Sequence, residues 1–174
     1  ADFMSEINSY FDSLKSELQR VYACASEARS KGLDPERDVE VKIAKDVAAR
    51  VESIVGPPGI TDIIRKMEKE GKSREDIAFE ITRKIASGEI IKGSTEKLIE
   101  QAVRTGLGIL TEGVLVAPTE GIAKIRVKRN PDGSDYVAVY YAGPIRSAGG
   151  TAVALSVLLA DIARRILGIA DYRA

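Results

Sequence analysis

Apolar residues recur near the start of the chain at Ile7, Phe11, Leu14, Leu18, Val21, Ala25 and Ala28. The steps alternate between four and three, the a/d seam of a period near about 3.5 residues. Tyr10 and Tyr22 widen the stripe, while Glu6, Asp12, Lys15, Glu17, Arg20 and Glu27 occupy the other face. One long amphipathic helix is predicted from about Ser5 to Ser30, stopped by Lys31 and Gly32. Its seam packs either on the chain's own core or on a partner helix. The narrowness of the stripe suits pairing, since core-facing helices carry a broader apolar face. Ile7, Phe11, Leu14, Leu18, Val21 and Ala25 are the candidate partner residues. Cys24 lies beside the seam and reads as a small buried hydrophobe.

Beyond a polar link at 32–38, Val39, Val41 and Ile43 alternate with charges, predicting a short extended stretch. Four shorter helices follow. The first runs from Asp46 to Gly56-Pro57-Pro58-Gly59, which cannot continue it. The second carries Ile60, Ile63, Ile64 and Met67 inward and ends near Gly71. Ser73 with Asp76 opens the third as a box-like cap, Ile77, Ile81 and Ile85 form its buried stripe, and Gly88 ends it. Ser94 caps the fourth, with Leu98, Ala102, Val103, Leu107 and Leu110 apolar and Gly113 closing it.

The period then changes to two. Ala123, Ile125 and Val127 alternate with Lys124, Arg126 and Lys128. Asn130-Pro131-Asp132-Gly133-Ser134 is a turn, and Val137, Val139 and Tyr141 alternate after it, so a β-hairpin is predicted. A glycine-rich loop, Gly143 to Gly150, leads into a last helix from about Thr151 to Leu167. Val153, Ala154, Leu155, Val157, Leu158, Leu159 and Ile162 make that helix apolar on most sides, so deep burial is expected. The few residues after Gly168 are too few to cover it, and the native chain is expected to continue.

The fold class is therefore α+β, mainly α-helical, with a β-hairpin or small antiparallel sheet near the C-terminal end. Three regions are expected: an assembly helix at 1–32, a helical domain at 39–113, and the hairpin, loop and buried helix at 114–174. Lys+Arg and Asp+Glu are both 26, so the formal charge is zero, without the basic excess of a free-standing nucleic-acid binder. Any DNA contact must come from a local patch. One cysteine excludes a disulfide framework and suits a cytoplasmic setting. With no histidine, a Ser–His relay cannot be built and the usual zinc ligands are missing. No metal or cofactor site is expected within the segment, and no apolar run is long enough to span a membrane.

One loop carries chemistry. Residues 140–151 run strand, loop, helix, and a helix N-terminus offers unpaired N–H groups and partial positive charge. Gly149 and Gly150 let a ligand approach the backbone, Arg146 forks onto anionic oxygens, and Ser147 and Thr151 donate hydrogen bonds. Together they would form an anion cradle, although the P-loop spacing is missing. The alternative is a tight turn with Arg146 held by Glu112, Glu120 or Asp161. Lys124, Arg126 and Lys128 form a basic strand face that either contacts phosphates or is the solvated side of an edge hairpin. No catalytic residue is assigned: Glu112 and Glu120 beside a turn are too common a pattern, and no Asp-x-Asp cluster occurs to hold two divalent metals.

Three blocks of the chain resemble the start of the large subunit of the archaeal family D DNA polymerases. They are Val51-Glu52-Ser53-Ile54-Val55-Gly56-Pro57-Pro58-Gly59, Gln101-Ala102-Val103-Arg104-Thr105 with Ile109-Leu110-Thr111-Glu112-Gly113, and Tyr140-Tyr141-Ala142-Gly143-Pro144-Ile145-Arg146-Ser147 with Gly149-Gly150-Thr151-Ala152. The last is the most specific. The resemblance implies DNA replication, nucleotidyl transfer by a Mg²⁺-dependent full-length subunit, and a smaller partner subunit bearing a 3′–5′ exonuclease. It places the family's catalytic aspartates in double-psi barrels far downstream, so no residue here inherits that role. The implied function is a scaffold and assembly segment, non-catalytic alone, touching DNA backbone. Two rivals stand beside it: a phosphate-binding small-molecule enzyme using the Arg146 loop, and an oligomerisation module that self-associates through the first helix.

Overall fold

A computed structural model describes residues 3–33, 44–112, 117–146 and 149–174. The chain divides into two compact units, Ala1–Ile43 and Ala44–Ala174. Among the described residues the first unit holds one helix, α1 (Phe3–Ser30). Gly32, at φ +69°, closes it with the Leu33 amide donating to the Ala28 carbonyl, the geometry glycine allows at little cost. The extended stretch expected at Val39–Ile43 lies outside the described residues, as does Gly113.

The second unit is built on α2 (Val47–Ile54), α3 (Ile60–Lys69), α4 (Arg74–Ala86), α5 (Thr95–Thr111), β1 (Ile122–Arg129), β2 (Asp135–Tyr141) and α6 (Gly149–Ile166). The α+β class, mainly helical with a small antiparallel sheet near the C-terminal end, is as expected. Local side-chain caps start the helices where the sequence indicates. Asp46 accepts from the Ala49 amide, Ser73 from Asp76, and Ser94 from Lys97, each satisfying an amide that the helix itself leaves unpaired. Helix α5 is the central element and touches α2, α4, α6 and β1. Ile60, Ile81, Ile85, Ile99, Leu107 and Ile125 are fully enclosed around it, each contributing about 1.5–3 kcal/mol relative to exposure.

Two expectations need correction. Ala123 does not share the inward face of β1. An irregularity between Ile122 and Lys124 shifts the register, so Ile122 and Ile125 are buried and Ala123 is exposed; one extra residue resets the two-residue period. Nor is α6 buried all round. It packs through its small residues Ala152, Ser156, Ala160 and Ala163 with Leu159, while Val157 and Leu158 remain 54% and 43% exposed. The small face wins because α5 presents glycine there: a Cβ on Gly106 would sit 3.0 Å from Leu159 and collide with Thr82. Close approach of the two helix backbones leaves the bulkier residues of α6 pointing outward.

The hairpin turn is tied to the end of the chain. Asn130 is 4% exposed, and its amide nitrogen donates to Ser134 Oγ and the Asp171 carbonyl at 2.9 and 2.8 Å. Its oxygen accepts from the Arg173 amide at 2.9 Å, and the Tyr136 and Tyr172 rings meet edge to face. A buried amide costs free energy unless its groups are paired, and here they are.

Candidate functional site

Pairing in the hairpin is antiparallel, with Lys124 opposite Tyr140, Arg126 opposite Ala138 and Lys128 opposite Tyr136. Residues directly opposite share a face of the sheet. The other face carries Ile125, Val127, Val137 and Val139 and packs on the core. The three basic residues are therefore displayed together, all exposed, on a face shared with two tyrosines. The Lys124 and Lys128 ammoniums lie 5.0 and 5.3 Å from the centre of the Tyr140 ring, within the range of cation–π attraction. Hydrogen-bonding proximity to Tyr140 also raises Lys128 above its ordinary pKa, so it stays charged. Arg126 differs from both. Its guanidinium donates to Glu96 at 2.8 Å, and the second Glu96 oxygen accepts from the Val127 amide at 2.9 Å. That amide, then the guanidinium, hold Glu96 below the usual carboxylate range. Arg126 is thus partly committed within the fold, whereas neither lysine pairs with a carboxylate among the described residues.

The glycine-rich loop forms a short 3₁₀ turn, Gly143–Arg146, before α6. Ile145 is 6% exposed and anchors it, with the Gly121 backbone approaching so closely that a Cβ there would stand 2.7 Å from the Ile145 side chain. Arg146 itself is exposed. Two of the three carboxylates expected to hold it are paired elsewhere: Glu112 with Arg74, and Asp161 with Arg164 and Arg165. The Arg146 side chain makes no hydrogen bond or ion pair among the described residues. Gly149 adopts φ +82°, and a Cβ on Gly149 or Gly150 would meet nothing within 4 Å. Thr151 is exposed in the first turn of α6. Ser147 lies outside the described residues. Arg146, Gly149, Gly150 and Thr151 are thus open on one short segment, and Lys124 and Lys128 are open on the hairpin.

No residue of α1 is buried. Phe11, Leu14, Leu18 and Val21 are exposed, and Ile7 and Ala25 are partly covered. Cys24 is exposed, against the expectation of a buried thiol. Among the described residues of its unit α1 has no second element to pack on, and a single helix cannot enclose even a small apolar group.

Two of the three blocks that carry the family resemblance hold the fold together, a role that local pattern reading did not assign them. Glu52 of α2 accepts from the Thr61 amide at 2.8 Å at the start of α3. Contact with the Thr61 hydroxyl, then the Thr61 and Gly59 amides, keeps its carboxyl below its ordinary pKa. Gln101 donates to the Val55 carbonyl and to Thr105 Oγ1. Arg104, with its side chain 18% exposed, donates to Glu100 and to the Thr119 and Ile122 carbonyls, the latter two at 2.7 Å. It thereby ties α5 to the π-type turn Ala117–Gly121 and to β1. A polar side chain within a buried helical run was the only sequence signal for such a clamp. Among the described residues no group of three or more His, Cys, Asp or Glu is placed to hold a metal ion, and no helix is long and apolar enough to cross a membrane.

A profile described as DNA polymerase II large subunit DP2, N-terminal, matches residues 9–174. The DNA polymerase II large subunit of Thermococcus kodakarensis is 52% identical over 174 residues, covering 98% of this chain and 10% of that protein. That of Pyrococcus furiosus is 52% identical over 171 residues, covering 97% and 14%. That of Methanothermobacter thermautotrophicus is 51% identical over 167 residues, covering 94% and 15%. The chain therefore spans between 10% and 15% of the length of these relatives.

Proposed function

Because the chain belongs to the family of DNA polymerase II large subunits and matches their N-terminal part, we propose that it is a scaffold and assembly segment of a replicative DNA polymerase. On this reading the full-length subunit is a Mg²⁺-dependent, DNA-directed nucleotidyltransferase of the cytoplasm. This segment folds and positions the subunit but supplies none of the reacting groups. The observation that carries the proposal is the use made of the resembling blocks: Glu52, Gln101 and Arg104 are spent on capping and clamping backbone. Side chains fully engaged in holding main-chain groups serve architecture rather than turnover.

Two contacts follow from the exposed features. The Arg146 loop, with Gly149, Gly150 and Thr151, and the Lys124–Lys128 strand supply phosphate contacts to the DNA backbone, which orient a protein on DNA without reading its sequence. The exposed seam of α1 supplies a helical contact, either to the smaller, exonuclease-bearing subunit or to a second copy. The test is reconstitution. Residues 1–174 with primer, template, deoxynucleotides and Mg²⁺ should give no extension. A full-length subunit carrying Leu14→Asp and Leu18→Asp should lose assembly with its partner while its helices stay folded. Incorporation by the isolated segment would overturn the scaffold reading, and unimpaired assembly of the double variant would overturn the role given to α1.

A further inference from the structure

We propose that the outer face of the β1–β2 hairpin is a platform for single-stranded DNA, with Tyr140 stacking on a base and Lys124 and Lys128 holding the flanking phosphates. The inference rests on the backbone-contact reading above and narrows it to one form of the ligand. It starts from the division of the hairpin into two unlike faces. The inner face meets the core through Ile125, Val127, Val137 and Val139, with Tyr141 at its end reaching the buried Ser156 of α6, while the outer face pairs Lys124 with Tyr140 and Lys128 with Tyr136. An edge hairpin that needed only solubility would be served by lysines alone. Half-exposed aromatic rings, Tyr136 and Tyr140, interleaved with exposed basic residues on one face are the composition that binds single strands, where exposed bases offer their flat faces. Duplex DNA hides those faces in its stack and presents only phosphates and groove edges.

The arrangement of charge adds to this. Two ammoniums sit within 5.3 Å of one ring centre with no carboxylate paired to either among the described residues. The ring restrains both cations, so less side-chain freedom is lost when phosphates bind. Consecutive phosphates on a single strand can then flank a base lying on the same tyrosine. Tyr136 is braced by the Tyr172 ring and lies across from Lys128, which offers a second aromatic surface next along the strand. Arg126 bonds Glu96, so it adds little positive charge to the platform.

The test uses the 174-residue chain, a labelled oligothymidylate of about 16 nucleotides and a duplex of equal length, with binding followed by fluorescence anisotropy at low and moderate salt. Tyr140→Leu should weaken oligothymidylate binding roughly tenfold and leave duplex binding within about twofold, while Tyr140→Phe keeps both. Lys124→Gln and Lys128→Gln should each reduce the slope of log affinity against log salt for the single strand by about 0.7. Photocrosslinking with bromodeoxyuridine in place of thymidine should label the peptide containing Tyr136 and Tyr140, and this readout decides the matter should Tyr140→Leu fail to fold. A folded Tyr140→Leu chain that binds oligothymidylate as tightly as the parent would overturn the platform. If the lysine variants then still weakened the duplex, the backbone reading would survive it. If no variant of Lys124, Lys128 or Arg146 altered binding to either form, both readings would fall. Displacement of the oligothymidylate by a polyglutamate of equal charge as readily as by unlabelled oligothymidylate would also overturn the platform, by showing a general polyanion surface.

Discussion

Gly106 and Gly108 lie in the C-terminal half of α5, and Gly149 and Gly150 at the head of α6. A Cβ on Gly106 would collide with Thr82 and approach Leu159 to 3.0 Å, and one on Gly108 would stand 2.9 Å from Val55. A Cβ on Gly149 or Gly150 would meet nothing within 4 Å. In α5 the missing side chain is needed because another helix fills the space. At α6 the space is empty, and only Gly149, at φ +82°, has a conformational reason to be glycine. Gly150 has neither reason. The contrast separates positions that serve packing from positions that leave the backbone accessible, and the two should respond to substitution in opposite ways.

The largest effect is expected at Gly106. Alanine there gains some helix propensity, about 1 kcal/mol, but must displace Leu159 or Thr82 in a filled core. A net loss of about 2 kcal/mol should lower the melting temperature by roughly 4–8 °C. Thr82→Ala in the same chain should recover part of that loss, because the two changes share one space. Equal melting temperatures for the parent and Gly106→Ala would show that α5 and α6 are not held as closely as the structure has them.

A smaller effect, with a pH signature, is expected at Glu52. Its carboxyl lies below its ordinary pKa through Thr61 and the Gly59 amide. A carboxylate with a depressed folded pKa stabilises the fold above its unfolded pKa, and that stability is lost as pH falls through the folded value. Glu52→Gln should therefore cost about 1 kcal/mol near neutrality, the size of a helix-start contact. Its difference from the parent should begin to shrink below about pH 4.3, where an unfolded glutamate is protonated, and close as pH falls through the lower folded value. Thermal melts of both chains between neutral and acid pH check this; a constant gap at every pH would mean that the Glu52 charge is idle.

These sites also show how far the sequence could be read. The helix start at Asp46, the caps at Ser73 and Ser94 and the turn at Asn130–Ser134 were legible because each is decided within a few residues. What escaped depends on contacts between distant positions. Glu96 reaches Arg126 and Val127, and Arg104 reaches Thr119 and Ile122; no local period marks these pairs. The phase of β1 was missed because one irregularity at Ala123 is invisible to an alternation count. The exposed face of α6 was missed because apolar content does not reveal that a neighbour made of glycine selects the small residues. At the candidate site the sequence identified the open residues of the loop and the three basic strand positions. It could not show that the lysines gather at Tyr140 while Arg126 turns to Glu96, since that follows from register and from α5.

At Gly150 the expected change in stability is smaller still, within about 0.5 kcal/mol, because alanine enters open space at a helix start. DNA affinity should nevertheless fall if the backbone amides there receive a phosphate, since a methyl group blocks close approach. Salt-dependent binding of Gly150→Ala beside its melt tests both halves. A folded variant with unchanged affinity would remove the loop backbone from the interface and leave Arg146 to be judged alone.

Arg146 gives the smallest stability effect and the sharpest contrast with its counterpart in the packed region. Arg104 is held by Glu100 and two carbonyls, whereas the Arg146 side chain is exposed and makes no hydrogen bond or ion pair among the described residues. Removing a half-buried clamp strands the carbonyls it served, at about 1–3 kcal/mol or more. An exposed arginine contributes under about 1 kcal/mol. Arg146→Ala should therefore melt with the parent. In the assembled polymerase it should weaken duplex binding and reduce the dependence of log affinity on log salt by about 0.9, the release of one counterion. The two readouts answer different questions. A large fall in melting temperature with an unchanged salt slope would show that Arg146 belongs with Arg104 as part of the scaffold, and the phosphate role would fall with it. An unchanged melt with a lost counterion would place Arg146 with Gly150, on the side of the molecule built for access.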